Sequence, residues 1–141
     1  MLPEHMDVTA DDAAFARSRA LLAEVEQPRC RSIAPILQRV GDKWSILIVM
    51  LLAGGPRRFN ELKRMIDGIS QRMLTLNLRG LERDGLVSRT VFPTIPPRVD
   101  YELTALGKSL CQPIIALGQW ADTHYDTITQ SRAAFDAKAE E

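Results

Sequence analysis

Cysteine and histidine are scarce in this chain: two of each among 141 residues, Cys30, Cys111, His5 and His124, with no CxxC pair. That excludes a disulfide framework and offers no zinc-binding spacing, so neither a metal nor a cofactor is expected. Long hydrophobic runs are lacking too. The longest, Ile46 to Ala53, falls far short of the roughly 20 apolar residues of a spanning helix, so no membrane association is expected. The N-terminal stretch has no basic start followed by an apolar segment; it carries Glu4, Asp7, Asp11 and Asp12, which points to the cytoplasm. No carboxylate pair and no glycine-rich phosphate loop occurs, and Cys30 as a nucleophile has no histidine placed to serve it, so the chain reads as a non-enzyme. The length also excludes a barrel of alternating strands and helices, which needs roughly 250 residues. What is present, 45% hydrophobic and 26% charged residues, suits one compact globular domain.

Hydrophobic spacing predicts a largely helical chain. Phe15, Leu21, Leu22 and Val25 share one face of a helix over 11–26, which Gln27-Pro28 interrupts. Ser32 then caps a second helix with Ile33, Ile36, Leu37 and Val40 in phase. Asp42 caps a third, Lys43 to Ala53, with Trp44, Leu47, Ile48 and Leu51 as its inner face. A short helix from Arg58 to Ile66 turns inward through Phe59, Leu62, Met65 and Ile66; Asp67-Gly68 makes a tight turn; Ser70 caps a longer helix to about Asp84 with Leu74, Leu78 and Leu81 inside. Two such helices around a glycine turn outline a helix-turn-helix.

After Gly85 the period becomes extended. Leu86 to Phe92 and Arg98 to Leu103 predict a two-stranded hairpin with Pro93, Pro96 and Pro97 at its tip. Thr104 starts a last helix running toward Tyr125 with Leu106, Leu110, Ile114, Leu117 and Trp120 on one stripe. At ~1.5 Å per residue it would be about 30 Å long, more than a small domain needs for its own core. Residues after Gln130 read as a loosely held tail.

The charge balance, 18 basic against 18 acidic side chains, conceals an asymmetry. Residues 57–98 carry nine basic and four acidic side chains, a net of +5, whereas 1–27 carry −4 and 120–141 carry −3. A positive field on a helix able to enter a groove, with a hairpin beside it, is the footprint of a double-stranded DNA binder; a solvated basic surface is the bland alternative.

Several motifs occur in order: Cys30, Val40-Gly41-Asp42-Lys43-Trp44, Arg58-Phe59-Asn60-Glu61-Leu62, Ile69 to Leu74, Leu78 to Val87, Pro96 to Tyr101, and Leu103-Thr104-Ala105-Leu106-Gly107. From about Cys30 to Tyr125 the chain closely resembles the HxlR-type winged-helix transcription regulators, relatives of the MarR superfamily. The resemblance implies a mainly α fold with a small β-hairpin: a winged helix-turn-helix with extra N- and C-terminal dimerisation helices. It also implies a homodimeric bacterial DNA-binding protein, and a cysteine near the N-terminus that in some members senses electrophiles or oxidants. Gly80 stands where many relatives have a charged helix former, at a helix-propensity cost of up to about 1 kcal/mol if exposed. The corresponding division is an N-terminal extension helix over 1–27, the DNA-binding domain over 28–103, a dimerisation helix over 104–130 and a tail over 131–141.

With Leu74, Leu78 and Leu81 inward, Ser70, Gln71, Arg72, Thr75 and Arg79 are the candidates to face the major groove. Gln pairs with adenine, Arg with guanine and the Thr methyl with the thymine methyl. Asn60, Arg89 and Arg98 are candidates for phosphate or the minor groove, and salt bridges compete for the arginines. Leu110, Ile114, Leu117 and Trp120 are the candidate dimer interface, implying a palindromic operator. Cys30, between Arg29 and Arg31, has neighbours that favour a reactive thiolate; a small packed residue is the alternative. Cys111 reads as packing, with a disulfide partner as the alternative. Two other readings stay open: the same regulator controlled by a small electrophile or a non-covalent ligand, and a winged helix that binds protein rather than DNA.

Overall fold

The computed structural model describes residues 8–23 and 27–139, with side chains over 12–20 and 31–139. Two units result, one up to Val40 and one from Gly41 onward. The first contains α1 (Val8–Ala23) and α2 (Gln27–Val40). Here the expectations shift. Gln27-Pro28 does not interrupt a helix but opens one, since a proline in the first turn lacks only an N–H that has no helical acceptor. Ser32 consequently lies inside α2 rather than at its cap, and the helix also accommodates Pro35.

The second unit runs α3 (Lys43–Leu52), β1 (Arg57–Arg58), α4 (Phe59–Met65), α5 (Gln71–Arg83), β2 (Val87–Phe92), β3 (Arg98–Leu103), α6 (Ala105–Thr123) and α7 (Tyr125–Ala139). The hairpin acquires a third strand: the sheet is antiparallel in the order β1-β3-β2, with Arg57 opposite Tyr101 and Val87 opposite Leu103. This is the winged helix-turn-helix fold, α4 and α5 being its two helices and the sheet its wing. Among the described residues, no helix is long and apolar enough to cross a membrane.

Side-chain chemistry sets the helix starts. The Asp42 carboxylate accepts from the backbone N–H of Trp44 (2.8 Å) and of Ser45 (3.3 Å), and the Ser70 hydroxyl accepts from Met73 N–H (3.0 Å). Each satisfies donors that the first helical turn leaves free, worth about 1 kcal/mol. At the far end of α5, Gly85 adopts φ 77°. Its N–H bonds Glu82 C=O, and Leu86 N–H reaches back to Leu81 C=O, a Schellman closure with Leu81 and Leu86 both buried.

The core is formed by Ile48, Val49 and Leu52 of α3, Leu62 of α4, Leu74, Leu78 and Leu81 of α5, and Val87, Tyr101 and Leu103 of the sheet. The inner face of α3 is not the expected one. Leu47 is exposed, and Trp44 and Leu51 are half-buried, while Ser45, Ile48, Val49 and Leu52 go inside. Met65 of α4 is likewise exposed. Gly80 is buried on the inner side of α5, so its cost is not that of an exposed helical glycine.

The junction of wing and last helix explains the Leu103–Gly107 motif. Thr104 caps α6 by accepting from Gly107 N–H (3.1 Å), while its hydroxyl donates to Gly85 C=O and its own N–H to Leu86 C=O. A Cβ on Gly107 would stand 2.1 Å from the Leu86 carbonyl oxygen, so only glycine lets α6 lie against the end of α5. α6 runs past Pro113 to Thr123, closes at His124, and is followed at once by α7. The stretch expected as a tail is therefore helical to Ala139.

Candidate nucleic-acid interface

α5 is amphipathic in the manner its leucines predict: Leu74, Leu78 and Leu81 are buried, and Gln71, Arg72 and Arg79 are exposed. Ser70 is spent on the cap. Thr75 is half-buried, and its hydroxyl donates to Gln71 C=O (2.8 Å), so its methyl is what remains to offer a base. Gln71 and Arg72 thus sit on a capped first turn, where the helix dipole and free backbone N–H groups favour phosphate nearby.

Two concavities flank this arrangement. A groove of about 290 Å³ is lined by Thr75, Arg79 and Glu82 of α5 and by Arg89 and Tyr101 of the sheet, so Arg89 and Arg79, 10 residues apart in sequence, face one space. A larger cleft of about 510 Å³ lies between the start of α4 and the wing, with Arg58, Asn60, Arg64 and Arg98 on its walls. Asn60 and Arg98 are therefore brought together. Arg98 is held on two sides, its guanidinium 4.3 Å from the centre of the Phe92 ring and its Nε 3.2 Å from an Asp100 carboxylate oxygen, an ion pair not aligned as a hydrogen bond. This fixes its direction and partly neutralises it.

Arg58 and Arg64 were not singled out from sequence. Their signal was the +5 cluster, which counts charges without placing them. Arg57, from the same cluster, does other work: its Nε donates to Leu51 C=O (2.9 Å) at the end of α3.

Reading helix, capped turn, wing and basic concavities agree with a further observation: the HxlR-like helix-turn-helix family matches residues 39–129. The chain belongs to that family. YdeP of Bacillus subtilis, an HTH-type transcriptional regulator, is 41% identical to it over 102 residues, 72% of this chain and 80% of YdeP. The redox regulator HypR in its reduced form superposes with a TM-score of 0.65 at 36% identity, over 70% of this chain and 98% of HypR. The reduced form of the regulator YodB from B. subtilis does so at 0.58 and 36%, over 64% of this chain and 89% of YodB. This HxlR-like protein is thus a helix-turn-helix transcription regulator whose partner is DNA, and it is not an enzyme.

The regulator's candidate dimer stripe divides. Ile114 is buried within its own unit and Leu110 is half-buried, whereas Leu117 and Trp120 are 57% and 55% exposed. Leu117 also lines an apolar groove of about 530 Å³ with Ile46 and Met50 of α3 and Ile115 of α6. Trp120 stacks on His124, ring centres 4.7 Å apart. Cys111 is half-buried with its sulfur 3.9 Å from Gly107 C=O, a packing position. Cys30 falls within the backbone of α2, but its side chain lies outside the described residues.

Proposed function

We propose that this regulator works as a homodimer on a palindromic operator in the cytoplasm, reading bases with Gln71, Arg72, Thr75 and Arg79 and gripping the backbone with Asn60, Arg89 and Arg98. The observation that carries the reading is the capped α5 with its polar face outward, beside a groove that joins Arg79 to Arg89. Leu117 and Trp120, exposed beyond the domain's own core, support pairing with a second copy. The C2 symmetry of such a pair would be mirrored in the half-sites. Arginines on both sides of Cys30, and the likeness to a protein described as a redox regulator, support a response to oxidants or electrophiles through that thiol.

Gel-shift titration of a duplex selected by the protein from random sequence tests the operator reading. Specific binding should weaken steeply between low and high salt, and Arg72→Ala should reduce discrimination at one base pair of each half-site. Absence of any preferred duplex at low salt would overturn it in favour of a protein-interaction module. For the sensor, diamide should release DNA from the parent and not from Cys30→Ser. An equal response in both would remove Cys30 from the mechanism and leave a non-covalent ligand as the signal.

A further inference from the structure

Ser45 of α3 and Asn77 of α5, 1% and 5% exposed, are buried polar side chains among the mostly apolar core of the described residues. The Ser45 hydroxyl donates to Asn77 Oδ1 (3.1 Å), and Asn77 Nδ2 donates to Met73 C=O (2.8 Å), which fixes which way the amide points. Both neighbours are themselves tied to caps: Ser45 N–H to the Asp42 carboxylate and Met73 N–H to the Ser70 hydroxyl. A chain of hydrogen bonds therefore runs from the start of α3, through the core, to the first turn of α5, where Gln71 and Arg72 stand.

α3 packs on α5, and the other buried side chains of the two helices are apolar: Ile48, Val49 and Leu52 on α3, and Leu74, Leu78 and Leu81 on α5. Apolar contact is strong but has no direction. A leucine stripe tolerates rotation about the helix axis that a 3.1 Å hydrogen bond does not. At a helix radius of roughly 5–6 Å, a turn of about 20° moves an outward side chain by about 2 Å, enough to break a bidentate contact with a base edge. Phosphate contacts from long arginines absorb such a shift.

We infer that Asn77, with Ser45, is a positioning residue for sequence readout: the buried pair sets the rotation of α5 on α3 and so aims Gln71, Arg72 and Thr75. The inference rests on the operator-reading role proposed above, and deepens it. It predicts that specificity and stability separate, because replacing both polar partners by apolar ones leaves no orphaned group in the core.

The test is the double variant Ser45→Ala with Asn77→Leu, read in two arms. Without DNA, the nuclear Overhauser contacts between side chains of α3 and α5 should change, showing α5 turned on α3, while the amides of Leu78 and Leu81 stay protected. With DNA, affinity for the duplex selected by the parent should fall about tenfold or more, and affinity for random duplex at low salt should not change. Loss should also be less than additive with Arg72→Ala, which a merely stabilising role would not produce. Should the double variant not fold, Asn77→Leu alone, which leaves the Ser45 hydroxyl able to turn to a carbonyl of its own helix, is read in the same arms with a change in the same direction. Unchanged contacts between α3 and α5 overturn the inference whatever DNA does, and unchanged discrimination between selected and random duplex overturns it as well. If the parent itself selects no duplex, the operator reading falls instead, and the arm without DNA still decides the positioning.

Discussion

From Ser45 to Ile114 the helices and the two longer strands each bury part of one face, and the helix starts at Asp42, Ser70 and Thr104 are closed by side-chain caps. α7, by contrast, buries no side chain, and α6 beyond Ile114 leaves Leu117 and Trp120 more than half exposed. The first region holds the reading helix through its own packing and the buried Ser45–Asn77 hydrogen bond. The second gains little within one copy, and 24 helical residues, nine of α6 after Ile114 and 15 of α7, are a costly way to cover little. One region covers its own apolar side chains, and the other leaves an apolar surface that the proposed dimer would cover.

Substitutions in the two regions should therefore behave differently. Leu78→Ala, in the fully buried stripe of α5, should cost about 2–5 kcal/mol in denaturant unfolding. A loss below about 1 kcal/mol would mean that the reading region lacks the continuous core described. Next in size is Gly107→Ala, whose new Cβ meets the Leu86 carbonyl at 2.1 Å; about 1–3 kcal/mol should be lost, read as a lower melting temperature. On the same helix Gly118→Ala has nothing within 4 Å and should be neutral or gain up to about 1 kcal/mol, so equal effects at the two glycines would erase the contrast. Ser70→Ala removes the cap of α5 and should cost about 1 kcal/mol, with faster amide exchange in the first turn. The smallest effect on unfolding belongs to Leu117→Glu with Trp120→Glu, within about 0.5 kcal/mol at protein concentrations where one copy is studied alone. The same pair should convert dimer to monomer in sedimentation, and a dimer that survives it would place the interface elsewhere.

Some of this was legible from residue order because it is local. Asp42, Ser70 and Thr104 were readable as caps from their own side chains and the runs that follow, and Gly85 as a helix stop from its freedom at positive φ. The leucines of α5 set their own phase because polar residues separate them. α3 has no such contrast: Lys43-Trp44-Ser45-Ile46-Leu47-Ile48-Val49-Met50-Leu51-Leu52 is apolar nearly all round, so no face is marked. Ser45 went inside because Asn77 waits there, a partner 32 residues away. β1 escaped notice because two residues have no period, and its strand character exists only through Tyr101 and Asp100 opposite. α7 escaped because its apolar residues, Tyr125, Ile128 and Phe135, form no buried stripe.

The site divides in the same way. Outward positions on α5 followed from inward ones, so Gln71, Arg72 and Arg79 were derivable before any coordinates. The meeting of Arg79 with Arg89, of Asn60 with Arg64 and Arg98, and the hold of Asp100 and Phe92 on Arg98 were not. The sequence by itself determined where α3, α5 and α6 begin and where α5 stops, which face of α5 is polar, and that positive charge gathers over 57–98, because caps, periodicity and charge act over one or two turns. Tertiary structure alone decided the rotation of α3, the third strand, the need for glycine at 107 and which arginines share a groove, because each depends on atoms that the chain brings together only after it has folded.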